Sequence, residues 1–212
     1  MNDIMSANSL NNNVFLVTGA ARRIGAAIVT RLHEDGARVA IHYRGSADAA
    51  QALASQLNAI RKDSAMAIQA DLLQTESLPS LIDAVVNWGG QLNGLVNNAS
   101  SFYATPLGTV TEQNWDELVG SNFKAPLFLA QAALEPLRAS HGSIVNIVDI
   151  HAQRPLREHP VYGPAKAALA MLTRALAKDL APEIRVNGVA PGAILWPEDG
   201  MDTDSKQSIL KQ

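Results

Sequence analysis

Six short apolar runs recur along the chain: VFLV at Val14 to Val17, RVAIHY at Arg38 to Tyr43, SAMAIQ at Ser64 to Gln69, GLVN at Gly94 to Asn97, SIVNIV at Ser143 to Val148 and IRVNGV at Ile184 to Val189. Between them lie longer stretches with helical patterning, from about Ile24 to Glu34, through DAAQALASQLNAIRK, from about Leu78 to Trp88, up to about Leu137, and from about Tyr162 to Leu180. Strands that are apolar along their whole length, instead of on alternate residues, are covered on both faces, as strands of parallel sheets are. Regular alternation of strand and helix with short links then places helices on both sides of that sheet. The expected fold class is therefore α/β, a doubly wound parallel sheet in three layers, α/β/α. A composition of 47% hydrophobic and 17% charged residues is ordinary for a globular chain of 212 residues. No repeat, low-complexity linker or shift in composition marks a second unit. Residues 1–12, rich in asparagine, are expected to form a flexible tail, and 13–212 a single domain.

The first strand runs into TGAARRIG, Thr18 to Gly25, which opens the first helix. In a Rossmann fold that turn is where a pyrophosphate meets the helix N-terminus, drawn by free backbone N–H groups and the positive end of the helix dipole. Glycine at Gly19 and Gly25 permits a tight turn and a close approach of the backbone. Gly19, Arg22, Arg23, Ile24 and Gly25 are thus candidate cofactor-binding residues. The end of the second strand selects the nucleotide. An NAD site usually carries Asp or Glu about 20 residues past the glycines, whereas an NADP site carries arginine for the 2′-phosphate. Here the strand ends His42-Tyr43-Arg44-Gly45-Ser46, without a carboxylate. Arg44 offers a fork of donors suited to phosphate, Ser46 a hydroxyl, and Arg22 or Arg23 can approach from the turn. NADPH is the expected cofactor, with His42 and Tyr43 counted among its contacts. After the third strand, Asp71 beside Leu72 is placed either to bond adenine or to cap a turn.

Tyr162 and Lys166 stand four apart at the start of a helix, so their side chains share one face. A phenol with a pKa near 10 is a poor acid–base catalyst at neutral pH, and a neighbouring ammonium lowers it. At ~5 Å and an effective dielectric near 20 a unit charge contributes roughly 3 kcal/mol, or about 2 pKa units.

Taken together these residues resemble the short-chain dehydrogenase/reductase family over nearly the whole chain. Asn97-Asn98-Ala99 after the fourth strand, Asn122 in the following helix and Pro191-Gly192 after the sixth strand extend the match. The resemblance implies that Tyr162 passes a proton, that Lys166 also binds the nicotinamide ribose, that Asn122 helps hold a relay water, and that Asn98, Ala99, Ser100, Pro191 and Gly192 line the cofactor. Two departures narrow it. The family's middle glycine is Arg23 here, and the position 13 residues before the tyrosine, usually serine, is Asp149. Both are similar to pteridine reductases, as are NNASSFYATPL (Asn97 to Leu107) and IHYRGSA (Ile41 to Ala47), and the related bacterial dihydromonapterin reductases come into view with them. A pterin presents ring donors and acceptors together, and a carboxyl group can address both. Asp149 beside Tyr162 would also oppose the lysine, raising the phenol's pKa, so the two should titrate together.

The expected reaction is NADPH-dependent reduction of a dihydropterin, with dihydrofolate as a further substrate, by hydride transfer to a C=N bond and proton delivery from Asp149 and Tyr162. Arg23, Ser100, Phe102, Asp149, Tyr162 and Trp196 are the candidate substrate contacts. Phe102 would stack on the pterin if it is not merely packed in the core. Ile194 and Trp196 differ from pteridine reductases in the substrate loop. Two other readings stay open: a carbonyl reductase acting on an oxoacyl thioester or a sugar, and a non-catalytic NADPH-binding sensor. Members of the family usually close with a further helix and a seventh strand, which this sequence lacks, so either it is incomplete or the protein is shortened; a homotetramer is expected if that region exists.

Other classes find no support. A formal net charge of −3 without runs of like charge offers nucleic acid or an anionic membrane no footprint. The chain has no cysteine, which excludes disulfides, thiolate metal sites and a cysteine nucleophile, and its five histidines are scattered, so no metal is expected. MNDIMSANSLNNN lacks the features of a signal peptide, and no window approaches ~18 apolar residues, so a cytoplasmic location is expected.

Overall fold

A computed structural model describes residues 9–192. Within it the strands are β1 (Val14–Val17), β2 (Arg38–Tyr43), β3 (Ala65–Gln69), β4 (Gly94–Asn97), β5 (Ser143–Ile147) and β6 (Arg185–Val189). The helices are α1 (Arg23–Glu34), α2 (Ala47–Ile60), α3 (Leu78–Gly89), α4 (Glu112–Val119), α5 (Ala125–Ala132), α6 (Leu134–Ala139) and α7 (Tyr162–Asp179). All six strands are parallel, in the order β3-β2-β1-β4-β5-β6. The order reverses between β1 and β4, and that crevice at the strands' C-terminal ends is where doubly wound sheets bind ligands. The doubly wound fold expected from the strand pattern is what forms.

Each face of the sheet is sealed by its own cluster. On one side Val14, Leu16 and Leu95 pack with Leu81, Ile82 and Val85 of α3, Leu129 of α5 and Leu137 of α6. On the other Val17, Val39, Ile41 and Val96 pack with Val29 of α1 and Ala50, Ala54 and Leu57 of α2. These side chains are almost fully buried, so each valine, leucine and isoleucine contributes roughly 1.5 to 3 kcal/mol of apolar transfer. That burial explains why β1, β2 and β4 read as unbroken apolar runs.

The long helical region expected to end near Leu137 is divided. A π-helical turn at Gly120–Lys124 separates α4 from α5, and α6 follows after Ala133. Capping is strong where α4 begins: the Thr111 side chain accepts from the Asn114 N–H while Asn114 Oδ1 accepts from the Thr111 N–H. Residues 10–12, assigned to the tail from composition, are tied to the body. The Leu10 N–H donates to Asp35 O at 2.9 Å, Gln91 Nε2 donates to Asn12 O at 3.0 Å, and Leu10 packs against the second cluster. No described helix is long and apolar enough to cross a membrane.

Candidate active site

The turn between β1 and α1 is built around two glycines. Gly19 has φ +60°, and a Cβ there would lie 2.8 Å from Ala99 Cα. A Cβ at Gly25 would stand 2.4 Å from Gly19 O, so both positions demand glycine. Helix α1 starts at Arg23, after an N-cap at Arg22 that makes no side-chain cap bond, with no acid in its first turn. Its first N–H groups have no intrahelical acceptor, and an anion suits that end by both hydrogen bonding and dipole. The cradle therefore fits the pyrophosphate of a dinucleotide. Arg23, where the family has its middle glycine, takes the left-handed conformation at φ +52°, which costs a non-glycine residue roughly 1 to 2 kcal/mol.

Several residues assigned to the cofactor from sequence prove to support this cradle from beneath. The His42 ring is buried: its Nδ1 accepts from the Gly19 N–H at 3.1 Å and its Nε2 faces Ala70 O at 3.1 Å. Accepting at Nδ1 leaves the ring proton on Nε2, where it donates to Ala70. Burial holds this imidazole down at about 4, against the upward pull of the Ala70 carbonyl and Asp71. Tyr43 and Leu72 are buried in the two core clusters, so their side chains are spent on packing. Asn98 Nδ2 donates to Thr18 O at 2.9 Å and Gly19 O at 3.0 Å, and Thr18 Oγ1 accepts from the N–H groups of Asn98 and Ala99. Asp71 takes the turn role, its Oδ1 accepting from the Leu73 N–H at 3.1 Å. Arg44 and Ser46 lie on the surface past β2, with Ser46 at the N-cap of α2 and making no cap bond. Pro191 O accepts from the Ile150 N–H at 3.2 Å, joining the end of the described chain to the segment that carries Asp149.

The candidate catalytic residues come together where β5 and α7 meet. Tyr162 Oη donates to Asp149 Oδ2 at 2.6 Å. Asp149 Oδ1 accepts from the His151 N–H at 2.8 Å, which orients the carboxylate as the cap of the 3₁₀ turn Ile150–Ala152. Lys166, 2% exposed, donates to Ile147 O at 2.9 Å and has its Nζ 5.8 Å from the centre of the Tyr162 ring. Asn122, buried in the π-helical turn, accepts from Ser100 Oγ at 2.7 Å and donates to Ser101 O and Leu118 O, each at 2.9 Å. A π turn re-aims one side chain within an otherwise helical run, which is how a helix interior comes to hold a loop.

The ammonium and the carboxylate were expected to pull the phenol in opposite directions, and the balance lies upward: Tyr162 is pushed well above its ordinary value, chiefly by burial, then by the hydrogen bond to Asp149 and by that carboxylate's charge, with Ser100 pulling the other way. Burial also pushes Lys166 down to about 8, partly offset by Asp149. With the ammonium turned to Ile147 O and the carboxylate in direct contact, burial and Asp149 win, and the proton rests on the phenol.

Phe102 is about half exposed and lies on no core cluster, so the core-packing alternative falls away. Its ring stacks on His159 at 4.8 Å and 13°, and meets Tyr162 at 4.8 Å and 73°. With His159 and Tyr162 6.3 Å apart, the three separations put Tyr162 at the side of the Phe102 ring and His159 over one face. His159 was absent from the sequence-based candidates, although it lies only three residues before Tyr162. Its backbone neighbour Glu158 has φ +63° and accepts from the Thr105 N–H at 2.7 Å, closing the loop over the aromatic group. Trp196 and Ile194 lie outside the described residues. Among the described residues no group of three or more His, Cys, Asp or Glu could hold a metal ion.

The profile of the family described as short chain dehydrogenase matches residues 13–207. The chain belongs to this family. Among its relatives, this short-chain dehydrogenase is 40% identical over 225 aligned residues to pteridine reductase 1 of Leishmania tarentolae, covering 88% of the chain and 78% of that protein. It is 35% identical over 200 residues to a 3-oxoacyl-[acyl-carrier-protein] reductase of Staphylococcus aureus, covering 93% of the chain and 81% of that protein. As a family member the chain is an oxidoreductase that binds a nicotinamide cofactor.

Proposed function

We infer that this short-chain dehydrogenase reduces a dihydropterin, and by extension dihydrofolate, to the tetrahydro form with NADPH. The observation that carries the reading is the 2.6 Å bond from Tyr162 Oη to Asp149 Oδ2, a carboxylate where the family usually has serine. A lone hydroxyl serves a single carbonyl oxygen, but a pterin offers a donor and an acceptor side by side, and the phenol–carboxylate pair answers both. The similarity to a pteridine reductase supports the same reading.

The first-turn N–H groups at Arg22 to Gly25 would hold the pyrophosphate, Arg44 and Ser46 the 2′-phosphate, and Lys166 the nicotinamide ribose. Bound NADPH supplies the hydride. Tyr162 is kept protonated by burial and by its carboxylate acceptor, so it stands as the proton donor to the ring nitrogen of a reducible C=N bond. Asp149 fixes the direction of that proton and offers its carboxylate to ring N–H donors. Lys166, through its charge and its bond to Ile147 O, holds the base of the phenol's helix in place. Ser100 and Asn122 brace the loop that presents Phe102, whose flat face suits a flat heterocycle. We further expect a homotetramer.

The test is loss of NADPH absorbance in the presence of dihydrobiopterin, dihydromonapterin or dihydrofolate, set against an oxoacyl thioester and a ketone sugar. The reading requires a pterin to be turned over with the highest kcat/KM. Preference for the thioester would replace it with the carbonyl reading, and NADPH binding without turnover of any of them would leave a sensor.

A further inference from the structure

The surface past β2 holds a cleft of about 490 Å³ lined by Arg44, Leu73 and four residues of α4, namely Glu112, Gln113, Asp116 and Glu117. Three carboxylates therefore face one guanidinium in the place where a phosphate dianion is to be received. The nearest is Glu117, whose Oε1 lies 4.0 Å from Arg44 Nη2. It is also the best anchored. Ser101 Oγ donates to Oε1 at 3.0 Å and Tyr103 Oη to Oε2 at 3.3 Å, so the carboxylate is held across the cleft by the loop that follows β4. Arg44 is 59% exposed on its side chain and Glu117 31%, so the pair is screened but not negligible.

We propose that Glu117 is a positioning residue that sets coenzyme preference by holding Arg44 in competition with the 2′-phosphate. This rests on the reading that Arg44 receives that phosphate. A ribose phosphate entering the cleft must take the guanidinium from Glu117 and then remain close to its charge, together with Glu112 and Asp116. NADH, lacking the phosphate, meets neither obstacle. The chain is thereby less selective for NADPH than its arginine alone would make it, and the coenzyme leaves the site more readily.

The experiment measures dissociation constants of NADPH and NADH for the whole protein and for Glu117→Gln, Arg44→Gln and the double variant. The amide of Glu117→Gln is isosteric: its oxygen accepts from one of Ser101 and Tyr103 and its NH2 donates to the other hydroxyl once that rotates, so the anchoring is kept and the charge is removed. NADPH should tighten about twofold to fivefold, the upper part of the range an exposed ion pair spans, while NADH stays unchanged. The gain should narrow at high salt, and it should vanish in the Arg44→Gln background, where the residue acted upon is gone. An unchanged or weakened NADPH affinity, or equal tightening of both coenzymes, overturns the proposal. If Arg44→Gln leaves the preference between the two coenzymes unaltered, the assignment of Arg44 fails and takes the proposal with it. A clear Arg44 effect with a silent Glu117→Gln overturns the proposal alone.

Discussion

Replacing His42 by leucine should remove a pH-dependent share of the protein's stability. The imidazole is buried, accepts from Gly19 and faces Ala70 O, and titrates at about 4 instead of its ordinary 6.5. Between those values the unfolded chain binds a proton at this site that the folded chain refuses, so stability rises with pH across the interval. The contribution is complete above pH 6.5 and is lost as the pH falls toward 4. A shift of this size corresponds to about 3 kcal/mol at full extent. His42→Leu lacks the titration and leaves two part-buried backbone groups, Gly19 N–H and Ala70 O, without this partner, at about 1 kcal/mol each. In urea unfolding of both proteins, wild type should exceed the variant by several kcal/mol near about pH 7.5, and the gap should shrink by roughly 2 kcal/mol near about pH 4.5. A gap of the same size at both pH values would refute the argument, because it would mean that His42 does not titrate differently on folding.

Other expectations follow from the same geometry. Gly25→Ala sets a Cβ 2.4 Å from Gly19 O, so NADPH affinity should fall at least about tenfold while the far-ultraviolet dichroism is retained. Arg38 lies 4.3 Å over Trp88 and donates to Asp63 O, Gly89 O and Trp88 O, so Arg38→Met should cost about 2 to 3 kcal/mol in a urea titration. Lys166, at about 8, loses its charge as the pH rises through that value, so kcat/KM should decline on the alkaline side there and Lys166→Arg should lack that limb. Phe102→Ala should raise KM for a pterin about tenfold with a smaller change in kcat, read by steady-state kinetics.

The parallel sheet was legible because its central strands β1, β2 and β4 are buried on both faces, and burial writes itself as an unbroken apolar run. Tyr162 and Lys166 were legible because one helical turn separates them, and Asp149 because it stands at a fixed distance from the tyrosine. Contacts between distant segments left no such trace. His42 reads as a strand-end residue facing the cofactor, yet the Gly19 N–H lies 23 residues away in sequence and claims its ring. Leu72 and Tyr43 read as lining residues, but Tyr43 at the end of β2 and Leu72 in the turn after β3 both pack into the core. The upward pull of Asp149 on the phenol was legible from its place before the tyrosine, but the larger effect of burial was not, because spacing along a helix says nothing of how deeply the ring is buried. His159 and Glu117 act through loops that pack only in three dimensions.

The proton-delivery pair is tested most directly by exchanging its carboxylate for the hydroxyl usual in the family. Asp149→Ser should bind NADPH as tightly as the parent and yet lose at least about a hundredfold in kcat on dihydrobiopterin, the scale of general acid catalysis. Undiminished turnover of that pterin by the Asp149→Ser protein would contradict the assignment.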